Sequence, residues 1–320
     1  IALRILQTSS RKILQTPFRP VCGDLSQDRR EVHLLSDWLY KTLFHQEGIA
    51  STKIIYSVSS GPFSHKVAEI WESDYDGGNP RQITSAKNYA ITPIYLPPQK
   101  GHLSGGLLFV SYVSGQPKIY ACPRKGGVAK RVIYLGGNQL MPAISPPGEA
   151  IAFISDITGN PDLFLQPFDK SKGAVGKPRQ IFAAAHATQG SPTFSPDGKQ
   201  IAFVSNKDGA PKIYIMEIPP QGMSLKQVRP KLISRKNSEN SAPAWSPDGT
   251  KIAYCARSTG GDRQIWIYDL LSQKEMAVTD GSGHKENPSW APDSLHIVFN
   301  SSDAGKSELF LLPIQHRRPT

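Results

Sequence analysis

Ser195-Pro196-Asp197-Gly198-Lys199-Gln200-Ile201-Ala202-Phe203-Val204-Ser205 reads as a tight turn that opens into a strand. Proline pre-sets the first turn dihedral, Asp bonds to nearby backbone, and Gly tolerates positive φ. The Ile-Ala-Phe-Val run has the β-branched and aromatic character of a strand. A second strand follows a Gly-containing loop, Lys212-Ile213-Tyr214-Ile215. The phrase returns as Ser246-Pro247-Asp248-Gly249 before Ile252-Ala253-Tyr254, as Ala291-Pro292-Asp293-Ser294 before Ile297-Val298-Phe299, and as Ser145-Pro146-Pro147-Gly148 before Ile151-Ala152-Phe153. The turn prolines are Pro97, Pro146, Pro196, Pro247 and Pro292, spaced 45 to 51 residues apart. A fixed period of that size marks a solenoid, propeller or array.

Each repeat resolves into four strands. The first is the approach to the turn, as in Ser191-Pro192-Thr193-Phe194 or Asn287-Pro288-Ser289-Trp290. The second and third flank the Gly loop, and the fourth is a weaker run such as Arg179-Gln180-Ile181-Phe182. The second and third strands recur six times, starting from Ile54-Ile55-Tyr56-Ser57-Val58 and Glu69-Ile70-Trp71. The first and fourth recur five times, so blade one lacks its innermost strand and blade six its outermost. Four-stranded blades repeated radially make a β-propeller. A linear stack would need polar end caps, and none is visible. The expected fold is mainly β: a six-bladed β-propeller over residues 51–320, preceded by the remnant of a small α/β domain over residues 1–50. In that remnant Ile1 to Leu6 and Ile13 to Phe18 read as short strands. Residues 28–44 read as a helix with Val32, Leu35, Trp38, Leu39 and Leu43 on one apolar face. Asp28 is its expected N-cap, Glu31 completes a capping box, and Gly48 is its stop. The apolar face is expected to dock on the propeller.

The 320 residues carry 37 Lys and Arg against 26 Asp and Glu, a net charge of +11. That balance permits a polyanion partner, yet no dense basic run with interleaved aromatics appears, and a solvated basic surface is expected instead. Three scattered cysteines, Cys22, Cys122 and Cys255, form neither a zinc spacing nor a disulfide framework. The eight histidines show no metal-ligand spacing, there is no Gly-x-Ser-x-Gly elbow, and no Gly-rich loop opens a helix. No catalytic residue, metal or cofactor is expected. No apolar stretch approaches the roughly 20 residues of a transmembrane helix.

Three features together resemble the TolB family of propellers. They are the Ser-Pro-Asp-Gly-x-x-Ile-Ala-[Phe/Tyr] repeat, the segment Ser73-Asp74-Tyr75-Asp76-Gly77-x-Asn79-Pro80 like that family's first-blade motif, and the helix phrase His33-x-x-Ser36-Asp37-x-x-Tyr40-x-x-Leu43 just ahead of it. The resemblance covers essentially the whole chain. It departs at Pro147, at Ser294, and at Pro97-Pro98-Gln99-Lys100, which replaces the turn of blade two. It implies a longer N-terminal domain before residue 1 and a ring-closing strand after Thr320, so the sequence reads as a fragment clipped at both ends.

The resemblance further implies a non-enzymatic periplasmic scaffold of the Tol–Pal system. Such a scaffold binds the lipoprotein Pal and other Tol proteins, acts as a monomer, binds no nucleic acid and inserts into no membrane. It serves outer-membrane integrity, protein transport and constriction during cell division. Pal would sit over the propeller mouth, where loops enter each innermost strand. The matching residues are Tyr89, Asn138, Gln139, Thr188, Gln189, Glu239, Asn240, His284 and Lys285. The alternative is a propeller enzyme, or the gating or accessory domain of a peptidase or sugar-processing enzyme, which would place converging carboxylates, histidines or a metal in the central channel.

Overall fold

The computed structural model describes residues 4–7, 12–15, 17–62, 66–97, 105–169, 172–303 and 305–314. The Pro98-Gln99-Lys100 part of the second turn and His65, His102 and His316 lie outside these residues. The chain divides into two compact units, residues 1–55 with 71–82, and residues 56–70 with 83–320.

Six sheets follow one another along the chain, one per repeat, as the blades of a six-bladed β-propeller. After β1 (Arg4–Gln7) and β2 (Lys12–Gln15), which pair only with each other among the described residues, blade one is β3 (Lys53–Ser60), β4 (Val67–Asp74) and β5 (Arg81–Gln82). Blade two is β6 (Ala90–Tyr95), β7 (Leu107–Ser111), β8 (Lys118–Cys122) and β9 (Lys130–Arg131). Blade three is β10 (Gln139–Ile144), β11 (Ala150–Ser155), β12 (Asp162–Asp169), the short β13 (Gly173–Ala174) and β14 (Arg179–Phe182). Blade four is β15 (Gln189–Phe194), β16 (Gln200–Ser205), β17 (Lys212–Glu217) and β18 (Lys231–Leu232). Blade five is β19 (Asn240–Trp245), β20 (Lys251–Arg257), β21 (Arg263–Asp269) and β22 (Lys274–Ala277). Blade six is β23 (His284–Trp290), β24 (His296–Asp303) and β25 (Lys306–Pro313). The unpredicted strand is β13, which gives blade three a fifth member by pairing with the tail of β12.

The repeated turn works as its residues dictate. Ser195 Oγ donates to Asp197 Oδ1 at 2.5 Å and accepts from Gln200 N at 2.9 Å, while Asp197 Oδ1 also accepts from Lys199 N at 3.0 Å. Gly198 takes the left-handed φ of +71° that closes the turn. Blade five repeats the set with Ser246, Asp248 and Thr250. In blade six Ser294 adopts φ 57° where glycine is usual, and its hydroxyl accepts from Asp248 N at 3.0 Å, joining two turns.

Proline in an innermost strand breaks the hydrogen-bond ladder unless it falls at a bulge. All five innermost strands carry that bulge, between Ile91/Ile94, Leu140/Ala143, Gly190/Thr193, Ser241/Ala244 and Glu286/Ser289. In each, the residue before the proline is left-handed: Thr92, Met141, Ser191, Ala242 and Asn287, with φ between 44° and 53°. The shared irregularity turns each inner strand in the same way. Neighbouring inner strands then contact one another, β6 with β10, β10 with β15, β15 with β19 and β19 with β23. The blades bury interlocking cores. One cluster joins Ile154, Leu163 and Phe182 of blade three to Phe203, Tyr214 and Met216 of blade four. Cys122 and Cys255 are buried within strands, and burial pushes both thiols up to about 11.

In the smaller unit, α1 (Leu25–Phe44) begins one turn before the expected position. Asp24 is the N-cap and accepts from Gln27 N at 2.9 Å. Asp28 instead sits in the first turn and accepts from Cys22 N at 2.8 Å and Gly23 N at 3.1 Å, N–H groups ahead of the cap, so the expected Asp28–Glu31 capping box is not the one that starts the helix. Glu31 lies 3.6 Å from Arg19 instead. The stop is His45, left-handed at φ 56°, rather than Gly48. Gly48 is needed for another reason: a Cβ there would run into the Asp37 carboxylate, which accepts from Ala50 N at 2.7 Å and Ser51 N at 2.8 Å. The buried side chains of α1 are His33 and Leu35; Trp38 and Leu39 are half-buried and Val32 and Leu43 are exposed, so the predicted apolar face is corrected at two of its five members.

The helix phrase and the first-blade motif meet. Arg29 reaches Asp76 at 2.6 Å, His33 Nε2 lies 3.2 Å from the same carboxylate, and the His33 ring packs edge-on to Tyr75. Lys53 and Asn79 both bond to the buried Asp74. Burial raises the Asp76 carboxyl, but the Gly78 N–H, Arg29 and His33 outweigh it and hold it below the ordinary range. A carboxylate lowered in the folded state contributes stability above its unfolded value, and that contribution is lost as pH falls through the folded value. Docking of α1 on the 74–79 hairpin is therefore expected to loosen below about pH 4, the titration range of an unfolded Asp. Amide exchange across residues 29–37 and 74–79 reads this out. Asp76→Asn should exchange faster at neutral pH and respond less to acid; an unchanged acid response would remove Asp76 from the account.

Candidate partner-binding mouth

The nine predicted residues fall at the heads of the innermost strands, and strand alternation sorts them into two sets. The ladder pairs Gln139 with Ser155, Gln189 with Ser205, Asn240 with Ala256 and Lys285 with Ser301. These four occupy equivalent positions. Tyr89, Asn138, Thr188, Glu239 and His284 each stand one residue earlier.

The later position faces the neighbouring blade. Gln139 has no exposed surface, accepts from Ile119 N at 3.3 Å and donates to Leu135 O at 2.8 Å. Asn240 is buried and donates to Asn237 O at 3.2 Å. Gln189 is buried beside Asp162, whose carboxyl burial pushes up. Lys285 is half-buried and donates to the carbonyls of Ser282 and Gly283. Gln139, Asn240 and Lys285 spend donors on blade-to-blade and local bonds, whereas the buried Gln189 side-chain amide makes no hydrogen bond of ordinary geometry.

The earlier position is held from the end of the second strand in blades two to five and, at His284, from the start of the third strand of blade five. Tyr89 O accepts from Tyr112 N at 3.1 Å, and the two rings meet edge to face. Asn138 donates twice to Asp156, from its backbone N and its Nδ2, both at 2.6 Å. Thr188 N donates to Asn206 Oδ1 at 2.7 Å. Glu239 pairs with Arg257 at 3.1 Å. His284 Nδ1 accepts from Arg263 N at 3.2 Å, which places the neutral ring's proton on Nε2 and leaves a donor on its outer side. Because inner strands of neighbouring blades touch, these five head residues form one row at one end of the strands.

Sequence reading missed the supporting residues Tyr112, Asp156, Asn206, Arg257 and Arg263. Tyr112, Asp156 and Asn206 directly follow a second strand, Arg257 ends the second strand of blade five and Arg263 opens its third, and these positions carry no repeated side chain. They add charge of both signs: Arg263 pairs with Glu286 at 2.6 Å, and Asp262 lies 4.0 Å from His284. Among the described residues no group of three or more His, Cys, Asp or Glu side chains is placed to hold a metal ion. No described helix is long and apolar enough to cross a membrane.

Repeated bulged blades whose inner strands all begin at one end define a six-bladed β-propeller. Residues 40–224 and 221–318 match the family described as "TolB beta propeller domain", and the chain belongs to that family. The chain is 54% identical to "Protein TolB homolog" of Protochlamydia amoebophila over 88% of its own length and 61% of the relative's. It thus spans about three-fifths of that curated relative. The crystal structure of TolB from Acinetobacter baumannii covers 97% of this chain and 73% of its own, with a TM-score of 0.78 and 22% identity, a likeness of fold. A Mycobacterium tuberculosis puromycin-hydrolyzing peptidase shares the propeller at a TM-score of 0.55 and 14% identity.

Proposed function

We propose that this propeller is a non-enzymatic scaffold of the Tol–Pal system in the periplasm, binding the lipoprotein Pal and other Tol proteins through its mouth. The observation that carries this reading is the row Tyr89, Asn138, Thr188, Glu239 and His284 at the heads of the inner strands, the first four held from their own blades and His284 from Arg263 of blade five. Preorganised polar groups of that kind suit a protein partner, because little side-chain freedom is left to lose on binding. In this reading the chain acts as a monomer that supports outer-membrane integrity, protein transport and constriction at division. Its net charge of +11 serves solubility rather than nucleic-acid binding.

Glu239 and His284 are the sharpest test, since one brings a charge and the other an outward N–H donor. Replacing both by Ala is expected to weaken Pal binding about tenfold, the loss of about 1.4 kcal/mol at two contact residues. The two side chains are 41% and 48% exposed and sit at strand heads outside the core clusters, so the melting temperature should stay nearly constant. Calorimetry with Pal checks the first outcome and thermal unfolding the second. Unaltered affinity would move the site off the mouth. Binding that is equally strong for nucleic acid and falls steeply with salt would instead favour a polyanion partner.

A further inference from the structure

The connection between the third and fourth strands of blade four, residues 218–230, is longer than its counterparts at 75–80, 123–129, 170–178 and 270–273. It does not loop freely into solvent. Arg179 of blade three donates to Pro219 O at 2.6 Å, and Val228 enters the core cluster that contains Phe182. Between these anchors a 3-10 turn, Leu225–Gln227, is closed by Gln227 N to Ser224 O at 2.9 Å and Val228 N to Leu225 O at 3.1 Å. The connection is thereby held against the end of β14 and leaves a cleft of about 340 Å³ between blades three and four.

The chemistry of the cleft is asymmetric. Phe182, Leu225, Val228 and Pro230 give it apolar walls, and the charged side chains that line it are Lys207, Lys226 and Arg229, with no carboxylate. Lys207 is compensated: its ammonium lies 2.6 Å from Asp208 and over the Tyr214 ring. Lys226 is exposed, and Arg229 Nη1 donates to the carbonyls of Lys226 and Val228, which fixes the guanidinium without neutralising it. Apolar walls beside two cations that pair with no carboxylate among the described residues are the complement of an amphipathic anion. An apolar cavity of about 150 Å³ accepts one benzene, so this one has room for about two rings.

We propose that this cleft is a binding site for a small amphipathic acid, an apolar body of about two-ring size carrying one carboxylate, with the body against Phe182 and Val228 and the carboxylate toward Lys226 and Arg229. The site is separate from the mouth and does not depend on the reading of the mouth as a Pal site.

The probe is 2-naphthoate, titrated into the full chain and followed by amide NMR shifts and calorimetry. Saturable binding is expected, with shifts concentrated at residues 182–184 and 225–230. The uncharged 2-naphthalenemethanol should bind about tenfold more weakly, the worth of a charge-assisted contact. Lys226→Glu, on an exposed side chain, should weaken naphthoate about fivefold, the upper range for a partly screened charge. Ala184→Phe, which fills the cleft, should abolish binding, while the Glu239/His284 double variant should leave it unchanged. Equal affinity for the acid and the alcohol, no response to Lys226→Glu, or no saturable binding would each overturn the proposal.

Discussion

Phe203→Ala is expected to cost about 4 kcal/mol of stability, within the range for a large aromatic removed from a closed core. Phe203 has no exposed surface and packs against Phe182 of blade three at 5.1 Å and Tyr214 of its own blade at 6.1 Å. Its cluster draws on both blades, so the cavity cannot collapse by moving one sheet alone. Phe310 is the matched control. It stacks on Phe299 at 5.8 Å with the rings 19° from parallel, but it is 46% exposed. Phe310→Ala should cost only about 1 kcal/mol, the worth of an aromatic pair at a surface. Urea unfolding of the two variants compares them directly. Equal losses would show that the interface between blades three and four is not a principal source of stability.

The contrast between these two phenylalanines follows the repeat, and the repeat is where the sequence was most legible. Phe109, Phe153, Phe203, Tyr254 and Phe299 hold the same place in successive second strands, and all five are buried. A period visible to the eye thus predicted blades, strand order and core together, including the three-stranded first and sixth blades. The helix was less legible because its contacts are not apolar. His33 is buried by a hydrogen bond to Asp76 and a ring contact with Tyr75, while Val32 beside it is exposed, so hydrophobic periodicity found Leu35 but missed His33. Its start was misplaced because Asp24 and Asp28 are both good caps and only the backbone decides between them.

The mouth was legible as a place but not as a surface. Comparison of the strand heads selected two neighbouring residues in each of blades three to six and one in blade two, yet one-residue alternation buries Gln139, Gln189 and Asn240. A polar residue at a strand head says nothing by itself about which way it faces. The cleft between blades three and four was not legible at all. Its walls come from Phe182 and from Leu225 to Pro230, more than 40 positions apart, and the second of these stretches shows no periodicity.

Glu275→Ala is expected to cost about 3 kcal/mol, the scale for removing one partner from a buried charged network. Glu275 lies on β22, is buried, and accepts from Tyr254 Oη at 2.7 Å, Arg235 N at 2.9 Å and Lys236 N at 3.4 Å. It therefore ties the outermost strand of blade five to the second strand of that blade and to the connection from blade four. Burial and the Glu275 carboxylate push the Tyr254 phenol far up, so it remains an O–H donor at every ordinary pH. Without Glu275, a hydroxyl on a fully buried ring and the two backbone N–H groups lose their acceptor, and each orphaned buried group costs about 1–3 kcal/mol. Tyr254→Phe removes only the hydroxyl and should cost about 1 kcal/mol on its own. The two losses should not add. Once Glu275 is gone, deleting the stranded hydroxyl removes a penalty, so the double variant should be no less stable than Glu275→Ala alone. Denaturant unfolding of the four proteins closes this cycle, and strict additivity of the two single losses would mean that the Tyr254–Glu275 bond contributes nothing to holding the blade together.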